Sequence, residues 1–188
     1  CMVQLLSEEK GKKILLDYLS QLEKEYYFWL KGIAQLAVDL PAINRVAFLP
    51  DGSILNLYWD EHDTPRPDAY QKEKKLAQPV TDKKILYRHL RAACESGWDF
   101  SSRWFKNEDE FTSIHTTDII PVDLNCLLLN LEETSANAYE LSGDLSACVK
   151  FKTLAIKRDG AMNTYCWNDG KEIYFDYGWK ENIKINYL

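Results

Sequence analysis

The sequence predicts a mainly all-α protein of about five helices, with two short β-hairpins set among them. Three observations carry this prediction. Apolar residues recur at spacings of three and four over long stretches, which marks one face of a helix. Capping residues and glycines bracket those stretches. Two segments break the helical period and hold turn chemistry between short extended runs, near residues 46–59 and 167–177.

The elements follow in order. Ser7 is placed to cap a helix beginning at Glu8, whose buried face is read as Leu15, Tyr18, Leu19, Leu22, Tyr26, Trp29 and Leu30. Pro41 ends the region after Gly32 loosens the pattern. Val46–Leu49 and Ile54–Tyr58 flank Pro50-Asp51-Gly52-Ser53, a hairpin signal. Residues 69–77 form a polar, lysine-rich short helix closed by Pro79. Thr81 or Asp82 caps the next helix, with Ile85, Leu86, His89, Leu90 and Ala93 as its buried stripe, and Ser96-Gly97 ends it. Residues 105–120 read as loop. Leu124, Leu127, Leu128, Leu131, Ala138 and Leu141 mark a long helix stopped by Gly143. Asp144 caps the last helix, with Ala147, Phe151, Leu154, Ala155, Met162 and Tyr165 inward. Asn168-Asp169-Gly170 then turns a hairpin between aromatic runs. No linker or repeat divides the chain, so residues 1–188 read as one domain.

Composition narrows the function. A net charge of −6 argues against a nucleic-acid surface. No apolar run approaches the ~20 residues of a membrane span, and no signal-peptide pattern opens the chain. The five cysteines, Cys1, Cys94, Cys126, Cys148 and Cys166, are odd in number, form no CxxC pair and lie in apolar runs. They read as buried free thiols, which predicts a reducing, cytoplasmic compartment. Glu61-His62-Asp63 has no second histidine at helical spacing, so it reads as a solvated acidic turn, and no metal site is predicted.

The stretch with most chemistry is Glu95-Ser96-Gly97-Trp98-Asp99-Phe100-Ser101-Ser102-Arg103-Trp104-Phe105. Two readings stand. Asp99 caps a following helix and its aromatic neighbours are core. Alternatively, Trp98 and Phe100 offer apolar faces to a small polar ligand, and a carboxyl pressed against them has the raised pKa a general acid needs. Arg66, between Pro65 and Pro67, is held extended. It either presents its guanidinium to hydroxyls or pairs with Asp63 or Asp68.

This stretch resembles the acid-bearing segment of the trehalases, inverting glycosidases that split α,α-trehalose into two glucoses. The likeness extends upstream to Leu55-Asn56-Leu57-Tyr58-Trp59-Asp60 and Asp63-Thr64-Pro65-Arg66-Pro67-Asp68. Downstream it reaches Ile114-His115-Thr116-Thr117-Asp118-Ile119-Ile120-Pro121-Val122-Asp123-Leu124-Asn125. The resemblance implies part of an (α/α)6 toroid, an incomplete catalytic domain of the middle third to half of such an enzyme. It implies Asp99 as general acid and Arg66, Asp68, Asn56, Gly97 and Trp98 as substrate contacts, with no cofactor. It also shows departures: Asp68 stands where glutamate is frequent, and Leu57 and His115 stand where arginines are usual. Neither the segment with the family's catalytic base nor the Gly-Gly-Arg-Phe stretch matches here. The expected partners are trehalose or a related disaccharide, the missing segments, or a second copy through an exposed half-barrel face. The alternative is a catalytically inactive sugar-binding or structural remnant.

Overall fold

A computed structural model describes residues 8–37 and 39–185. The fold is mainly helical with short antiparallel strands, consistent with part of an all-α toroid. The helices are α1 (Glu8–Asp17), α2 (Leu19–Trp29), α3 (Tyr70–Leu76), α4 (Lys83–Glu95), α5 (Val122–Ser142) and α6 (Leu145–Tyr165). The predicted cap Ser7 lies outside the described residues.

The first predicted helix is two. The backbone at Tyr18 leaves helical values, with φ −105° and ψ 7°, and α2 starts afresh after it. Tyr18 and Leu16 are exposed as a result, while Tyr26 is buried and Leu19 and Leu30 pack beside it. The α4 helix forms as expected, with the Asp82 carboxylate accepting the Ile85 N–H at 3.1 Å. Ile85 itself faces solvent, and Tyr87 and Ala92 join Leu86, His89, Leu90 and Ala93 inside.

Gly143, at φ 84°, ends α5 in the left-handed cap that glycine adopts without steric cost. Asp144 caps α6 by accepting the Ala147 N–H at 3.0 Å. A two-residue link between long helices leaves them antiparallel neighbours. The α6 stripe is the expected one, with Phe151, Ala155 and Met162 buried, and Leu124, Leu128 and Ala138 of α5 are buried as expected. Leu127 and Leu141 are exposed, while Asn125, Glu132 and Ser135 of α5 and Arg158 of α6 are buried.

Strands β1 (Ala42–Ile43), β2 (Val46–Phe48) and β3 (Ile54–Asn56) form one antiparallel sheet, with Val46 opposite Asn56 and Phe48 opposite Ile54. The turn is the predicted one: Gly52 has φ 86°, and Asp51 accepts the Ser53 N–H at 2.9 Å. A second sheet joins β4 (Ile119–Ile120), β7 (Asp176–Gly178) and β8 (Ile183–Ile185). Its first strand falls in the stretch read as loop, because its partner is distant in sequence and no local turn announces it. The hairpin β5 (Trp167–Asn168) with β6 (Ile173–Tyr174) forms where expected, but its turn is residues 169–172, and Asp176–Gly178 joins the second sheet instead of continuing it.

Three apolar clusters fill the interior. One gathers Leu90, Trp104, Ile114 and Leu124 under α4 and α5. The second joins Leu55 and Leu57 of the hairpin region to Ile120, Met162 and Tyr177. The third packs Tyr26 of α2 on Tyr139 and Phe151 of the α5–α6 pair. Among the described residues, no helix is long and apolar enough to cross a membrane.

Candidate active site

The C-terminal end of α4 gathers most of the predicted site residues. Gly97 lies beyond the helix at φ 75°, with open space where a side chain would stand, and Asp99 also has a left-handed φ of 45°. This pair of turns projects Trp98 and Asp99 outward, and both are exposed. Asp99 does not cap the short turn that follows; Ser101 occupies that position, with no side-chain capping bond. Phe100 turns inward, half-buried, 5.0 Å from the ring of Phe111.

Arg66 reaches the same helix end. Its backbone is extended, at φ −67° and ψ 141°, as the flanking prolines require. The guanidinium Nε donates to Glu73 Oε1 at 2.6 Å, Nη1 donates to Cys94 Sγ at 2.7 Å, and the group lies 5.3 Å from the Phe100 ring centre. Glu73, on α3, is 4% exposed and also accepts the Arg66 N–H at 2.8 Å. The expected partner Asp68 is 3.8 Å away and exposed. A pocket of about 260 Å³ opens here, lined by Arg66, Glu73, Leu90, Phe100 and Phe111 among others. Burial raises the pKa of the Cys94 thiol, against the lowering effect of Arg66.

A second face of α4 fixes the segment that leads to Arg66. Lys84, Arg88, Arg91 and Glu95 recur at helical spacing. Lys84 and Arg88 meet Asp63 at 3.8 and 3.7 Å, Arg91 meets Asp60 at 3.1 Å, and Arg88 lies 4.5 Å from the Trp59 ring. Glu95 accepts the Trp59 N–H at 3.2 Å and two bonds from the buried Arg45. Burial raises the Glu95 pKa, opposed by its bonds to Arg45. One helix thus sets the separation between the Arg66 segment and Asp99.

On the other side of Asp99, the Trp98 indole N–H donates to Asp123 Oδ2 at 2.7 Å. Arg103 donates to the same carboxylate and to Asp176, which also accepts the Val122 N–H at the start of α5. The sequence hides these partners. Asp123 looks like an ordinary acid in a first helical turn, and Asp176 sits between aromatics in a strand.

Asn56 lies apart from this group, fully buried. Its Nδ2 donates to the carbonyls of Trp29 and Arg45, and its Oδ1 accepts from Arg158. Leu57 and His115, at positions where the resemblance expects arginine, are 1% and 8% exposed and belong to the interior. Among the described residues, no three His, Cys, Asp or Glu side chains are grouped to hold a metal ion. Asp60 Oδ1 instead accepts the His62 N–H at 2.7 Å.

A family model described as trehalase matches residues 1–188. The periplasmic trehalase of Salmonella newport (strain SL254) is 42% identical over 186 residues, covering 96% of this chain and 32% of that protein. The periplasmic trehalase of Escherichia coli O8 (strain IAI1) is 40% identical over 192 residues, covering 100% of this chain and 33% of that protein. The chain therefore spans about a third of the length of these relatives. The cytoplasmic expectation is corrected by these names, which point to the periplasm. Among the described residues Cys148 and Cys166 are free and buried as expected, whereas Cys94 is half-buried and Cys126 exposed, and free thiols report packing as well as compartment.

Proposed function

The chain belongs to the trehalase family, and on that premise we propose that it forms the acid-bearing part of an α,α-trehalase that hydrolyses trehalose to two glucoses with inversion. Residues 1–188 act in this reading as one incomplete catalytic domain. Asp99 is the general acid, protonating the leaving glycosidic oxygen. Arg66 and Asp68 hold sugar hydroxyls, and Trp98 gives an apolar face to a pyranose ring. Gly97 permits the turn that presents Asp99, while Asn56, expected as a substrate contact, is fully buried and holds β3 through the Trp29 and Arg45 carbonyls.

The observation that supports this most is the placement of Asp99. It is exposed at the tip of a left-handed turn, while Arg66 is fixed to the same helix end through Cys94. An acid must reach its substrate, and acid and clamp must both be held in position.

Inverting hydrolysis needs a second carboxylate roughly 6.5–9.5 Å from the first, with room for a water between them. No residue of this chain matches the family's base, so turnover requires further segments. Exposed Leu145, Val149 and Ile156 at helical spacing on α6 supply an apolar surface for those segments or for a second copy. The expected ligand is trehalose or a related disaccharide, with no role for nucleic acid.

The test is complementation. Mixing the purified chain with the remaining segments of a trehalase should restore glucose release from trehalose, and Asp99→Asn should abolish it. Trehalose binding by the chain without turnover in any mixture would favour the alternative of an inactive sugar-binding remnant.

A further inference from the structure

The Asp99 turn is tied at one end to α4, and at the other to side chains that the acid mechanism does not use. The Trp98 indole N–H donates to Asp123 Oδ2 at 2.7 Å. Arg103 donates to Asp123 at 3.2 and 3.4 Å, and its guanidinium lies 5.2 Å from the Trp98 ring centre and 4.5 Å from that of Trp104. Asp176 receives Arg103 through three contacts of 2.7 to 3.0 Å and accepts the Val122 N–H at 2.9 Å.

Burial deepens along this row. Trp98 is 53% exposed, while the side chains of Asp123, Arg103 and Asp176 are 28%, 14% and 5% exposed. The buried end is over-determined, since Asp176 is held by a guanidinium and a backbone N–H. Asp123 is fixed in turn by Arg103, so it meets Trp98 already oriented. A half-exposed tryptophan on its own would sample several rotamers. The indole bond selects one.

We propose that Asp123 is a positioning residue: its carboxylate fixes the Trp98 indole and, through it, the turn between Gly97 and Asp99, with Arg103 and Asp176 as the buried anchor. The consequence for catalysis rests on the acid role of Asp99; the mechanical coupling does not. Losing the tether frees Trp98 about Gly97, where nothing stands within 4 Å of a side-chain position. Asp99 then points in many directions and the sugar-stacking face is lost.

The test uses the 15N-labelled 188-residue chain. The Trp98 indole N–H resonance is assigned by its disappearance in Trp98→Phe. In the unmodified protein its solvent exchange should be at least about tenfold slower than that of free tryptophan, as a bonded donor requires. Free-rate exchange overturns the proposal, with no variant needed. Asp123→Ala should move the resonance, speed its exchange and shift the amides of Gly97 to Ser101, leaving those of the β2–β3 hairpin in place. Asp123→Asn keeps an oxygen acceptor and should restore the wild-type position. An unmoved indole in a folded Asp123→Ala chain also overturns the proposal.

Trehalose titration separates the two layers. Asp123→Ala and Trp98→Phe should each weaken binding about tenfold, and the double variant should bind no more weakly than either, as residues acting in series do. Additive losses would overturn the coupling. A tethered indole in a chain that binds no trehalose would leave the positioning role intact and count against the sugar site.

Discussion

Two arginine–carboxylate centres lie on either side of α5, and they differ in what they leave exposed. The inner centre joins Arg158 to Glu132 at 2.9 to 3.1 Å and to the Oδ1 atoms of Asn56 and Asn125 at 3.0 and 2.9 Å. Asn125 closes it by exchanging bonds with the Asn56 backbone in both directions. Its ion pair is 5% and 1% exposed, and it locks β3, α5 and α6 together. The outer centre has the same chemistry in Arg103 and Asp176, but continues through Asp123 to the half-exposed Trp98. Closed on itself, such a centre fixes helices. Open at one end, it holds an exposed turn.

The largest effect is expected at the inner centre. Glu132→Ala leaves Arg158 buried without its carboxylate and should cost about 3–5 kcal/mol in urea unfolding. A loss under about 1 kcal/mol would show that the centre does not fix the helices.

The next largest effect comes from pH. The buried His89 has a pKa lowered from 6.5 to about 4, chiefly by burial, with Asp118 opposing and Lys180, His115 and Lys106 reinforcing the shift. Its Nδ1 accepts the Thr117 N–H, so the neutral ring carries its proton on Nε2. A depressed histidine pKa means that the unfolded chain binds the proton first as pH falls. Stability from this group is therefore full above pH 6.5 and lost on acidification towards about 4, by roughly 3 kcal/mol. Urea midpoints across that range should fall, and should fall less in His89→Gln.

A smaller change sharpens the contrast at the site. Arg66→Lys keeps the charge but loses the fork that reaches Glu73 and Cys94 together, and should cost about 1–2 kcal/mol in unfolding. At the exposed end, Asp99→Asn should leave the unfolding free energy within about 0.5 kcal/mol, because the fold does not rest on that carboxylate. A large loss there would make Asp99 structural.

What the sequence made legible was mostly local. Asp82, Asp144 and Gly143 cap their helices, and the turns at Gly52 and Gly170 form, because each signal and its partner lie within a few residues. Long-range pairing was not legible. Ile119–Ile120 became a strand only by meeting Tyr177 and Gly178. On α5, Leu127 and Leu141 are exposed against expectation, while the polar Asn125, Glu132 and Ser135 are buried. Buried polar side chains belong inside only when partners exist, and Arg158 supplies them from another helix. At the candidate site, Asp99, Arg66, Trp98 and Gly97 stood out through their motif. Glu73, Cys94, Asp123 and Asp176 did not, since their role lies in which neighbour they touch.

The most direct test of the central reading, one acid without its base, is glucose release from trehalose by the purified 188-residue chain beside its Asp99→Asn variant. No release is expected from either. Glucose release that vanishes in Asp99→Asn would contradict that reading, since a base would then have to come from this chain or from a second copy.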